Sequence, residues 1–310
     1  MTDRETGLRG TSARGRAALA EASILLAAFF VGTDVVSVKY ALEGFPPLVL
    51  MPIRYTLAGL LLLTSLRLLR RGIGLVPQDL AALAGLGLVG VSLNQVGYTV
   101  GLSLTSGSDA ALIFASAPVW GLLLGAVLGL ERPTAVGVLG LALALGGVAL
   151  VVGGGLGSGG ASVGGDLLVC LSAFSWGAYA VLLSMPVLRR LNPLVVGGWT
   201  MLLGGGAVLP LALIGFPGLS EPLSSVDWGA VGIGSWAAAL YSTLLCSSFA
   251  IAAWQVNVSR LGANRVLIYL YLVTLVGLLA SVVVLGENVG MAKIAGAAAI
   301  LLGVYLARRS

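Results

Sequence analysis

One acid, two bases and a set of amides, hydroxyls and aromatic rings stand inside stretches that are otherwise apolar. Asp34 and Lys39 fall in one such run and Arg54 in the next. Asn94 and Tyr98 have i, i+4 spacing, so on a helix they share a face, with Gln95 adjacent. Ser116 and Trp120 repeat that spacing around Pro118, and Trp176 and Tyr179 share another face. Trp236, Tyr241 and Ser242 stand together further on, and Tyr269 in the following run. These residue types bind better than they react. The chain has no histidine, which excludes histidine metal sites, Ser-His-Asp and Cys-His nucleophiles and histidine acid–base work. Cys170 and Cys246 lie far apart in apolar runs and form no CxxC, so they read as packing residues. No glycine-rich stretch ends in GK[ST], and no carboxylates cluster on one face. No catalytic set, metal or cofactor is expected. Flat aromatic walls with a few hydrogen-bonding groups suit a zwitterion bearing an apolar side chain.

Other roles compete for the same residues. Tryptophan and tyrosine favour membrane–water interfaces, and Trp199, Trp228 and Tyr305 fit such a belt. Tyr98, Trp176 and Tyr179, nearer the middle of their runs, either line a cavity or pack a core. Asn94 either faces a cavity or makes an interhelical hydrogen bond. Asp34 is the acid placed well inside a span, where an ionisable group needs a cavity or a partner. It reads as a member of an ion pair, with Lys39 or Arg54, at a gate. A proton-coupling site is the alternative.

The elements that must carry these residues follow from composition. The 310 residues are 58% hydrophobic and only 9% charged, with a mean hydropathy of +1.05. Soluble domains are about 25% charged, so soluble enzymes, nucleic-acid binders and disordered chains are excluded. Crossing a bilayer takes about 20 mainly apolar residues. Ten such runs appear, near 18–41, 47–66, 80–102, 109–130, 134–153, 167–187, 193–215, 228–258, 265–285 and 289–307. The expected fold is all-α and integral to a membrane. The run 228–258 is long for one crossing, and is taken as a single tilted helix because that keeps the charge pattern consistent. A polar tail, 1–17, precedes a unit at 18–153. A glycine-rich linker, 154–165, then leads to a second unit at 166–307.

Alternating the runs from a cytoplasmic N-terminus places fourteen of the 17 basic residues in cytoplasmic segments. Lys39 and Lys293 remain outside and Arg54 within a span. This positive-inside bias puts both termini in the cytoplasm. The positive charges are too scattered for nucleic acid.

The two units resemble each other. Ala28-Phe29-Phe30-Val31-Gly32 matches Ala173-Phe174-Ser175-Trp176-Gly177, each followed by a Pro-Leu that opens the next run, at Pro47 and Pro193. Glu131 matches Glu287, and Gly140 and Gly147 match Gly296 and Gly303 at one constant offset. These glycines predict a close contact, either between spans five and ten or between protomers. Five spans per unit is odd, so the second unit enters the membrane from the opposite side. Inverted repeats recur in secondary transporters, with the substrate at the midplane between them. Two packings of nearly equal energy meet the requirement of alternating access. A membrane enzyme lacks support here, and a passive channel-like facilitator remains the competing reading.

The run Ala28-Phe29-Phe30-Val31-Gly32-Thr33-Asp34, then Pro46-Pro47 and Ile53-Arg54-Tyr55, resembles the EamA module of the drug/metabolite transporter superfamily. So do Thr105-Ser106-Gly107-Ser108-Asp109-Ala110-Ala111-Leu112-Ile113, Ala117-Pro118-Val119 and Leu130-Glu131-Arg132. The second half repeats the pattern as Arg260-Leu261-Gly262-Ala263-Asn264-Arg265 and Leu285-Gly286-Glu287. Within the family the chain is similar to the YddG-type amino-acid exporters. The resemblance implies a ten-helix inner-membrane carrier of small metabolites, aromatic and other apolar amino acids foremost. Other small organic solutes or lipophilic cations are the alternative cargo, and a proton or solute gradient the energy source. Where the family often carries proline in span nine, this chain has Val273-Thr274. Pro118 in span four therefore has no counterpart, and the two halves are expected to bend differently.

Overall fold

The computed structural model describes residues 3–130, 134–155, 162–184, 188, 190–261 and 269–307. Glu131, Arg132, Arg189, Arg265, Arg308, Arg309 and the middle of the 154–165 linker lie outside them. Ten long helices form among the described residues, with no strand. They are α1 (Asp3–Leu42), α2 (Pro47–Leu68), α3 (Pro77–Leu104), α4 (Gly107–Val127), α5 (Ala135–Gly155), α6 (Val163–Leu183), α7 (Pro193–Ile214), α8 (233–261), α9 (Tyr269–Leu285) and α10 (Met291–Ala307). The apolar part of α1, Glu21–Leu42, and each of α2 to α8 are long enough to span a bilayer. At 17 residues each, α9 and α10 are at the short end of the range.

Local signals start these helices. Pro47, Pro77 and Pro193 occupy first-turn positions, where a missing N–H costs nothing. Ser106 caps α4 by accepting from the Asp109 amide, Ser162 caps α6 through Gly165, and Asn192 caps α7 through Leu194. The long run that contains α8 is one helix, as expected.

The halves interlock. In the packing α5 lies on α10 and α2 on α7. The α3–α6 contact has its counterpart in α8–α1, and α4–α6 in α9–α1. Exchanging the halves maps this set of contacts onto itself, as two five-helix repeats of inverted topology require. The glycines permit the close approach. A Cβ on Gly303 would lie 2.5 Å from the Ala144 amide nitrogen, and one on Gly147 2.7 Å from the Gly296 carbonyl. The paired glycines therefore join α5 to α10 within one chain. Likewise Gly32 backs onto Val273 and Val276 of α9, and its counterpart Gly177 onto Ala117 and Gly121 of α4.

Two irregularities position the interior. A π-helical segment interrupts α3 at Leu88–Leu93 and α8 at Ser242–Phe249, the third helix of each half. Such segments leave carbonyls needing partners, and in α3 the Ser175 hydroxyl of α6 donates to the Val89 carbonyl. The other irregularity is unmatched. α4 breaks after Phe114 and restarts at Ala117 with Pro118 in its first turn, whereas α9 runs unbroken through Val273-Thr274.

Candidate functional site

The ionised centre is built on one turn of α1. Arg54 of α2 donates from Nη2 to both Asp34 oxygens, at 2.9 and 3.3 Å. Ser37 Oγ donates to Asp34 Oδ1 at 3.1 Å, and Ser242 of the α8 π segment donates to the same oxygen. Beside them Thr33 Oγ1 and the Tyr241 hydroxyl share a hydrogen bond of 2.7 Å. The two ions are unequally placed: the Asp34 side chain keeps 16% of its surface accessible and Arg54 none. Arg54 Nε and Nη1 have no hydrogen-bond partner among the described residues. Arg54 Cζ lies over the Tyr55 ring, 5.5 Å from its centroid. Lys39 donates instead to the Thr105 carbonyl, so among the described residues Arg54 is the ion-pair partner of Asp34.

Aromatic rings flank this centre from both halves. Tyr98 lies in the Asn94–Leu104 part of α3, which packs against both α1 and α2. It meets Phe114 edge-on at 5.6 Å, Phe114 meets Trp176 at 6.3 Å, and Trp176 stacks on Tyr179 at 5.2 Å. On the other side Phe30 packs edge-on against Tyr241 and Phe249. Phe114 sits at the break in α4, whose unwound turn is held internally. Ser116 Oγ donates to the Ile113 carbonyl at 2.7 Å and accepts from Trp120 Nε1 at 3.2 Å.

The remaining residues singled out by sequence go elsewhere. Asn94 is fully buried and donates to the Ser172 carbonyl and hydroxyl at 2.8 and 3.0 Å, bridging α3 to α6. Gln95 donates to the Asn94 side-chain oxygen. Tyr179 is buried against Gly90, where a Cβ would strike its ring. Trp236 packs on Phe45 and Trp228 near the start of α8. Tyr269 joins a cluster with Ile24, Ala27 and Ala250. Pro118 borders a small hollow with Ala115, Tyr271 and Thr274. Sequence reasoning missed Thr33, Ser37, Phe30 and Phe114. The two hydroxyls had a signal, since they neighbour Asp34 at i−1 and i+3.

A second polar assembly closes the end of the bundle that carries the lysines. Lys293 of α10 pairs with Asp109 at 2.9 Å and also donates to Ser106 and Ser108. The Glu287 carboxylate, between α9 and α10, accepts from the Gly107 and Ser108 amides at 2.6 and 2.8 Å. These are the exposed donors of the α4 N-terminus, satisfied by an anion from the opposite half. Thr105 donates to Asp166 of α6. Segment 105–109 is thus clasped from α1, α6, α10 and the α9–α10 loop. At the other end the Arg190–Asp79 pair has a half-exposed arginine.

Ten apolar helices in two inverted halves, with an ion pair and aromatic rings at their seam, define a multi-pass membrane transporter of the inverted-repeat kind. The EamA-like transporter family profile matches twice, over residues 18–153 and 163–309, and the chain belongs to that family. It is 26% identical to an uncharacterized transporter of Archaeoglobus fulgidus, over 92% of this chain and 97% of that protein. It is 30% identical to a probable terminal-alkyne amino-acid exporter of Streptantibioticus cattleyicolor, over 75% and 74%. It is 25% identical to a probable amino-acid metabolite efflux pump of Salmonella typhimurium, over 91% and 92%. A solved crystal structure shares the fold with a TM-score of 0.63 at 20% identity, covering 92% of this chain and 96% of that one.

Proposed function

We propose that this protein exports amino acids with aromatic or other apolar side chains across the inner membrane, by alternating access around a midplane cavity. The observation that carries the reading is the Asp34–Arg54 pair set against the Tyr98–Phe114–Trp176 wall at the seam of the halves. Charged groups at that depth serve a solute or a coupling ion, and the rings offer a surface for an apolar side chain. Two relatives named for amino-acid export agree with it. In this reading both termini are cytoplasmic, and the units 18–153 and 166–307, joined by the 154–165 linker, rock against each other. Lys39, with the clasp it joins, gates the outer side. The break at Pro118 supplies a hinge in α4.

The test is counterflow in liposomes. Vesicles preloaded with an unlabelled amino acid should accelerate entry of the labelled one, and the twenty amino acids should compete in order of side-chain apolarity. A pore gives no acceleration. Acceleration by other metabolites with no competition from any amino acid would remove the substrate assignment and keep the carrier. Repeating the assay with a pH gradient separates proton coupling from facilitated movement.

A further inference from the structure

We infer that Asp34 and Arg54 form a head-group subsite that selects a zwitterion with adjacent charges, an α-amino acid, over amines, carboxylic acids and ω-amino acids. This rests on the amino-acid reading above. The first ground is net charge. The pair is neutral, held among apolar side chains and hydroxyls, with no further ionised group hydrogen-bonded to it among the described residues. A ligand of net charge would leave an uncompensated ion in a low-dielectric site, whereas a zwitterion leaves the sum at zero.

The second ground is the set of unused donors. Arg54 spends Nη2 on Asp34, while Nε and Nη1 are buried without a partner among the described residues. Buried donors are expensive to leave unmade, and each carboxylate-gripping fork of a guanidinium joins Nη2 to either Nε or Nη1, so a ligand carboxylate that takes a free donor completes a fork by sharing Nη2 with Asp34. The third ground is the difference in access. Asp34 is the reachable ion and Arg54 the sealed one. A ligand ammonium therefore meets Asp34 first. As the helices move to enclose the ligand, its carboxylate takes an unused donor of Arg54 and shares Nη2 with Asp34. Ser37 and Ser242 keep Asp34 hydrogen-bonded while the arginine is shared. Because the two ions touch at 2.9 Å, only charges separated by a single carbon reach both without straining the ligand.

The experiment uses the full chain in liposomes, with labelled L-phenylalanine counterflow as the readout. The competitors are unlabelled L-phenylalanine, phenethylamine, 3-phenylpropionate and 6-aminohexanoate. Each analogue is expected to compete at least about tenfold less well than L-phenylalanine, a difference of about 1.4 kcal/mol. The singly charged analogues should then separate in two variants. Asp34→Asn leaves a positive site and should favour 3-phenylpropionate over phenethylamine. Arg54→Gln leaves a negative one and should reverse that order. Equal competition by phenethylamine or 3-phenylpropionate in the unmodified protein overturns the subsite and leaves amino-acid export standing. Equal competition by 6-aminohexanoate overturns the adjacency. Were no amino acid to drive counterflow, the substrate reading would fall and the subsite with it. The unmodified protein decides all of these, even where a variant does not fold.

Discussion

Arg54 has no accessible surface and rests on one carboxylate. Removing either partner leaves the other uncompensated, and breaking a buried pair costs about 3–5 kcal/mol where no water reaches it. Arg54→Met should therefore lower the unfolding temperature of the detergent-purified protein markedly. The double variant Asp34→Asn/Arg54→Met should recover part of that loss, and equal destabilisation of single and double variants would contradict the pairing. Asn94 calls for a different expectation. Its hydrogen bonds to Ser172 are interhelical, worth about 0.6–2 kcal/mol in a membrane bundle. Asn94→Leu should cost stability of that order in a thermal-unfolding series and leave the ranking of competing solutes unchanged. A changed ranking would return Asn94 to the cavity. Asp34 and Arg54 were legible in sequence because each is a charge inside an apolar run. Which partner Asp34 takes was not, since the group that draws Lys39 aside is the carbonyl of Thr105, 66 residues away. The rings around the pair were legible only where hydroxyl or indole made them conspicuous. Phe30 and Phe114 look like any other apolar residue until the helices are packed.

Hydropathy and punctuation made the helices readable: prolines start α2, α3 and α7, and Pro118 marks the break in α4. The paired π segments had no such signal, because a one-residue insertion into a helix changes no composition. The clasp at residues 105–109 was equally hidden, its ligands coming from four separate elements. Its energetics belong to the element rather than to any one side chain. Glu287 neutralises the open amides of the α4 N-terminus through charge-assisted hydrogen bonds, worth about 1.5–3 kcal/mol in such settings. Glu287→Gln should loosen the end of the bundle that carries the lysines. In a background lacking Cys170 and Cys246, a cysteine replacing the buried Ala110 should react about tenfold faster with an impermeant maleimide applied outside. Unchanged labelling would show that the glutamate does not hold the end shut.

At the scale of the molecule, the repeat relates the largest interhelical contacts to counterparts, and in the proposed reading the basic residues give it a direction. A fluorescent protein fused after Ser310 should fold and fluoresce in bacterial cells, while alkaline phosphatase fused there should stay inactive. The opposite pattern would invert the assignment of inner and outer ends. One departure from the repeat remains. α4 is broken where α9 is straight, so in the proposed alternating-access cycle the inward-facing and outward-facing packings would not be mirror copies and would differ in free energy. For a carrier without an external energy source, such a bias cannot create a gradient. It makes the two sides saturate at different solute concentrations, with maximal rates that differ in the same proportion. The side with the higher half-saturation then clears a solute excess faster, although the equilibrium is the same in both directions.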